Sequence, residues 1–134
     1  MDMIKVVFAT DDGKTYIDRH FGDAEHYDIY EVSSEETKFV KRISNTTEEE
    51  EGHADPKKAK GVAGLFKEDN VHVVVSKIFG PNIKRIKKNF VCVLMNDEVI
   101  SNSIIKIQQN IIPLVEEWNK GGTRTHLNYK TLNK

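Results

Sequence analysis

The chain has 134 residues, with 20 Lys+Arg against 21 Asp+Glu, for a formal net charge of −1. At roughly 100–200 residues per domain it is one domain, and the near-neutral charge gives no support for a general polyanion binder. One cysteine, Cys92, excludes an intramolecular disulfide and any site that needs two protein thiolates.

Residues 4–10 (IKVVFAT) form a β-branched and aromatic run that ends at Asp11-Asp12-Gly13, a turn signal, and predict a first strand. Residues 27–32 (YDIYEV) alternate apolar and acidic positions, the pattern of a strand with one wet face. Ser33-Ser34 makes a turn, and residues 38–43 (KFVKRI) read as the returning hairpin partner. A polar stretch with four consecutive glutamates, Glu48 to Glu51, leads to Asp55-Pro56, a helix start in which Asp accepts from free N–H groups and Pro has none to lose. Ala59, Val62, Ala63 and Phe66 recur there at helical spacing. Residues 71–76 (VHVVVS) and 90–95 (FVCVLM) read as strands buried on both faces. Gly80-Pro81-Asn82 opens a second helix between them. Residues 101–118 predict a third, which Pro113 should kink or split. The stretch 119–134 holds basic residues and no acid, and is expected to be a mobile tail outside a single domain of residues 1–118.

This order predicts an α/β fold. Three strands with short or loop connections make an antiparallel meander, and two strands that follow helices add in parallel by right-handed crossovers. Tracing chain direction brings the connections 11–26, 44–55, 77–80 and 96–101 to one edge of the sheet, with the beginnings of all three helices. Helix beginnings carry unpaired N–H groups, which suit an anion. Three of the five histidines, His20, His26 and His53, lie in or border the two long connections.

Each candidate has an ordinary alternative. Asp11, Asp12, Asp18, Asp23 and Asp28 could clamp two Mg²⁺ ions, as in a nuclease, but acidic turn residues are common and the first strand holds no carboxylate. Arg19-His20-Phe21-Gly22 places a ligand nitrogen, a cation and a flexible backbone together; the alternative is a surface loop anchored by Phe21. His53 precedes a helix start and reads equally as a solvated loop histidine. His72 alternates with core positions and reads as structural, and Cys92 as a small buried hydrophobe. The basic run at residues 84–88 could touch phosphate but fits the wet face of a helix.

The opening strand, the loop ending in His20-Phe21-Gly22-Asp23-Ala24 and the strand Tyr27-Asp28-Ile29-Tyr30-Glu31-Val32 resemble the dinitrogenase iron–molybdenum cofactor biosynthesis family, which includes the NifX type. The resemblance continues through Gly52-His53, the helix after Pro56 and Phe79-Gly80-Pro81. It implies a ribonuclease H-like fold with a mixed five-stranded sheet flanked by three helices. It also implies a carrier of an anionic molybdenum- or iron–sulfur cluster, held non-covalently, rather than an enzyme. A preassembled cluster brings its own sulfides, so a protein with one cysteine can hold it, with imidazole at an open metal position. The implied site comprises Asp11, Gly13, Arg19, His20, Phe21, Gly22, His53, Lys77 and Gly80, with His20 and His53 as metal ligands, glycine N–H groups as donors, and Arg19 and Lys77 as balancing cations. Cofactor-assembly or recipient proteins are the expected partners. A cytoplasmic location is expected because no apolar run reaches the ~20 residues of a membrane span, and neither membrane nor nucleic acid is an expected partner. The alternatives are a ribonuclease H-like metal-dependent nuclease and a protein-interaction module working through the basic helix and tail.

Overall fold

The structure is a computed structural model that describes residues 3–45, 64–66 and 68–130. Its strands are β1 (Met3–Thr10), β2 (His26–Ser33), β3 (Thr37–Ser44), β4 (Val73–Ser76), β5 (Val91–Leu94) and β6 (Leu127–Asn128). Its helices are α1 (Ile83–Ile86), α2 (Ile100–Gln109) and α3 (Ile111–Asn119). They form one mixed sheet in the order β3-β2-β1-β4-β5-β6. The hairpin pairs β1–β2 and β2–β3 are antiparallel, whereas β1–β4, β4–β5 and β5–β6 are parallel.

Alternation along β1 explains why the sheet sits in the middle. Val6 and Phe8 face one way, into a core with Val73, Val75, Val91 and Val93 under Ile100, Ile104, Ile107 and Leu114 of α2 and α3. Val7 and Ala9 face the other way, into a core with Val74, Cys92, Phe21, Tyr27, Phe66, Phe79 and Phe90. All four residues of β4 are buried, as its unbroken apolar run requires of a strand covered on both faces. The outer strand β3 is the opposite case. Most of its residues are exposed, and Val40 is an extra residue between the pairs Ile29–Lys41 and Tyr30–Phe39.

Three expectations need correction. The sheet has six strands, not five, because Leu127–Asn128 pairs with β5 and the Tyr129 N–H donates to the Leu94 carbonyl at 2.9 Å. Two residues carry no readable periodicity, so this strand is invisible in sequence. Its approach is fixed by Arg124, which donates to the carbonyls of Trp118 and Lys88, and by Glu117, which accepts from the Thr125 N–H. The single third helix is two helices that meet at Asn110. Pro113 is the third residue of α3, in the first turn, where a missing N–H costs no intrahelical bond. The second helix is one turn, Ile83–Ile86. Of the helix predicted after Pro56, Gly64 and Leu65 are helical. The remainder, with the glutamate run, Gly52 and His53, lies outside the described residues.

A buried ion pair ties the loop after β5 to α2. Lys106 Nζ lies 3.0 Å from Asp97 Oδ1, and Ser103 Oγ donates to Asp97 Oδ2 at 2.8 Å. Both charged side chains are about 95% shielded from solvent, at 4% and 5% exposure. Removing one partner from such a pair leaves an uncompensated buried charge, which costs about 3–5 kcal/mol. Asp97→Ala should therefore lower unfolding free energy by about that amount in a urea titration. Adding Lys106→Met should recover much of the loss; no recovery would mean that the charge pair is not the cause.

Candidate functional site

The parallel strands β1, β4 and β5 end at one edge of the sheet, and the connections 11–25, 77–82 and 95–99 lie there, as chain direction predicts. Two of them are joined by main chain. His20 and Ile78 form a parallel bridge, and the Phe21 N–H donates to the Ile78 carbonyl at 2.8 Å. Phe21 begins a 3₁₀ turn, Phe21–Asp23, closed by the Asp23 N–H on the His20 carbonyl at 2.8 Å. Its ring is fully buried and stacks on Phe79 at 5.2 Å and against Tyr27 at 5.1 Å. The Tyr27 hydroxyl donates to the Phe21 carbonyl, and the Asn45 amide donates to the carbonyls of Gly22 and Ala24. An apolar anchor is thus driven into the sheet, and His20, the preceding residue, is held at the rim.

Gly80 is where the loops come closest. Its φ is +71°, a region that only glycine enters without strain, and a Cβ there would lie 2.6 Å from the His20 ring. The sequence Phe79-Gly80-Pro81 therefore has a geometric reason: the imidazole rests on the bare backbone.

The charged candidates are paired on this rim. Arg19 meets Asp11 at 2.8 Å and also donates to the Asp23 carbonyl. Burial pushes the Asp11 carboxyl upward, but the Glu25 N–H and the Arg19 guanidinium outweigh it, leaving it below its ordinary value. Lys77 lies 3.3 Å from Asp18. Asp12 is consumed by its own turn: the N–H groups of Thr15 and Lys14 donate to it and hold it well below the usual carboxylate range.

Several expected contributions are absent from the His20–Gly80 contact. The Gly13 N–H is spent on Thr10 Oγ1 at 2.9 Å, so it is not a donor to a guest. Gly13 instead packs on the Asp28–Arg42 ion pair. Asp28 stands opposite Phe8 in the β1–β2 register, which puts that pair on the sheet face away from Phe21. The N–H of Ile100, first in α2, is spent on the Lys14 carbonyl. With α1 only one turn long, helix beginnings supply less positive potential here than the sequence promises. His53 lies outside the described residues. Cys92 is fully buried in the face under Phe21, and burial pushes its thiol up to about 12, so it stays protonated at neutral pH.

Sequence reasoning missed the unsatisfied polar atoms of this edge. Ser76 Oγ at the end of β4, Asn82 Oδ1 before α1 and His26 Nδ1 at the start of β2 are buried without a hydrogen-bond partner. Buried polar atoms are nearly always paired, so orphans gathered on one edge mark a place that interacts with something further. Their only sequence signal was polarity at the ends of apolar runs. Among the described residues, no three His, Cys, Asp or Glu side chains are grouped to hold a metal ion. The described residues of the edge can therefore offer an imidazole, backbone and hydroxyl groups and rim cations to a preassembled guest, and do not by themselves make a full coordination sphere for a bare ion.

Gly80→Ala tests the close approach. It should cost about 1–3 kcal/mol in a denaturant titration, from strain at positive φ plus the clash, and should shift the His20 ring resonances in an NMR spectrum. An unchanged ring environment would contradict the contact.

Comparison with known proteins bears on the fold and the family. A crystal structure from Methanocaldococcus jannaschii, named a "putative dinitrogenase", superposes with a TM-score of 0.59 at 22% identity, over 82% of this chain and 91% of that one. At that identity the likeness concerns the fold. A search of curated proteins finds no match. The family model described as dinitrogenase iron-molybdenum cofactor matches residues 3–110, and the chain belongs to that family.

Proposed function

We propose that the protein binds an anionic iron–molybdenum or related metal–sulfur cluster at the edge built around His20, and carries it during cofactor assembly without itself catalysing a reaction. The observation that carries this reading is the His20 imidazole, fixed on Gly80 by the buried Phe21 anchor, on the sheet edge that also holds the orphaned atoms Ser76 Oγ and Asn82 Oδ1. A preformed cluster needs one ligand at an open metal position, and a neutral imidazole nitrogen serves that role. In this reading the N–H groups of Gly22, in the turn after His20, and of Gly80, against the His20 ring, donate to sulfide or carboxylate oxygen. Arg19 and Lys77 supply charge from exposed ion pairs, which are weak and readily exchanged. The sheet order β3-β2-β1-β4-β5 suits a ribonuclease H-like arrangement of the NifX type, with β6 added at the margin.

The electrostatics favour loose holding. Residues 11–25 hold Asp11, Asp12, Asp18, Asp23 and Glu25 against Lys14 and Arg19. A negative guest must compete with these carboxylates for the cations, which keeps affinity low enough for transfer to an assembly or recipient protein. The nuclease alternative is poorly served, because Asp11 is committed to Arg19, Asp12 to its turn and Asp28 to Arg42.

Anaerobic titration with isolated iron–molybdenum cofactor, read by absorbance and metal analysis, tests the reading. His20→Ala should weaken binding by roughly tenfold or more, since even losing a ligand's supporting partner costs 10–100-fold, while the far-UV spectrum stays unchanged. Equal affinity in the variant would remove His20 from the site.

A further inference from the structure

At the opposite edge of the sheet, where β1 and β4 begin, a histidine completes the strand pairing with its own side chain. The His72 N–H donates to the Lys5 carbonyl at 3.0 Å, an ordinary main-chain bond. The Lys5 N–H returns the bond to His72 Nδ1, also at 3.0 Å. The chain arrives here through Asn70, whose φ of +54° lies in the left-handed region that asparagine tolerates. After that turn the imidazole stands where a main-chain acceptor would be. The His72 carbonyl accepts the Val91 N–H at 2.9 Å, so one residue ties the starts of β1 and β5 to that of β4.

These bonds fix the protonation state of the ring. A nitrogen that accepts an N–H carries no proton, so the neutral ring holds its proton on Nε2. An imidazolium carries a proton on both nitrogens. Its Nδ1–H would point at the Lys5 N–H, donor against donor, and the bond would break. Among the described residues nothing offsets that loss. Burial first, and the Lys5 ammonium second, hold the His72 ring below its ordinary value. The other cations at this edge are Arg124, on the Trp118 ring, and Lys87 and Lys88, before β5. The nearby carboxylates are engaged elsewhere or exposed: Asp69 meets Lys41, Glu117 holds Lys120 and the Thr125 N–H, and Glu68 faces solvent.

The ring also supports α3. It stands edge-on to Trp118, with 4.9 Å between centroids. Both side chains line a cavity of about 460 Å³, so a ring that releases Lys5 has room to turn away from the indole. We propose that His72 is an acid-sensitive latch: on taking up a second ring proton it releases the Lys5 N–H and loosens the starts of β1 and β4 against α3, while the rest of the sheet stays folded. The sign follows from linkage. The folded value lies below that of a free histidine, about 6.5, so the latch is fully closed above that pH and opens as pH falls through the lower folded value.

Trp118 is the single tryptophan of the chain, so its emission reports on the latch. The full chain should be titrated from about pH 8 to about pH 5, the range of histidine charging, with far-UV dichroism and amide exchange in parallel. Emission should change in one single-proton step centred below 6.5, and the protection factor of the Lys5 amide should fall roughly tenfold across it, the worth of about one hydrogen bond. Ring ¹⁵N shifts should show Nε2 protonated and Nδ1 bare at neutral pH, and both protonated after the step. His72→Asn keeps a short acceptor that does not titrate, so it should abolish the step. His126→Asn, in an exposed stretch, should leave the step in place. The proposal is overturned by the opposite ring tautomer at neutral pH, by a step that survives His72→Asn, or by a Lys5 amide equally protected on both sides of it. It is also overturned if the far-UV signal is lost together with the emission change, since that is general acid unfolding.

Discussion

The candidate site depends on one join: the connection between β1 and β2 is fastened to the connection after β4 by the Phe21 N–H on the Ile78 carbonyl, with the Phe21 ring stacked on Phe79. Burying a side chain of that size is worth about 1.5–3 kcal/mol, enough to hold a short loop turn in one place. Without it, His20 would be a solvated histidine on a 15-residue connection of residues 11–25. With it, the imidazole is pinned to Gly80, where the bare backbone admits a ring that any Cβ would displace. The chemistry of the edge is therefore an indirect product of core packing.

The same edge is only partly satisfied. Ser76, Asn82 and His26 keep buried polar atoms without partners, and the rim cations are held by exposed carboxylates. This differs from the buried Asp97–Lys106–Ser103 cluster, in which the interacting groups satisfy one another and serve the fold. One part of the molecule is closed by its own contacts, and the other is left with contacts to make. A carrier needs that second condition, since a guest held by too many fixed ligands could not be handed on.

Much of the fold was legible because long β-branched runs and turn signals agree with tertiary packing. The strands β1 to β5, their directions and the gathering of loops at one edge all follow from the positions of Asp11-Asp12-Gly13, Ser33-Ser34 and Gly80-Pro81. The sixth strand was illegible, because Leu127–Asn128 is specified by Arg124 and Glu117 reaching from the end of α3 rather than by local pattern. Pro113 was read as a breaker when it sits in a first turn; Asn110 makes the break. Arg19, His20 and Phe21 were singled out by residue type and spacing and Gly80 by the family resemblance; the structure brings His20, Phe21 and Gly80 together. Gly13 was misjudged because its N–H is claimed by the neighbouring Thr10 hydroxyl, a contact that spacing cannot show. The orphaned atoms and the Trp118 cavity required packing to become visible.

A cluster with unpaired iron electrons, bound at His20 as proposed, should broaden nearby amide resonances by distance. The most direct measurement is an anaerobic ¹H–¹⁵N spectrum of the labelled chain with and without isolated iron–molybdenum cofactor. The account predicts that the amides of Phe21, Gly22, Ile78 and Gly80 broaden, while those of Val71, His72 and Trp118 at the opposite edge remain sharp. Broadening centred on the Trp118 edge, or none at a saturating concentration, would contradict it.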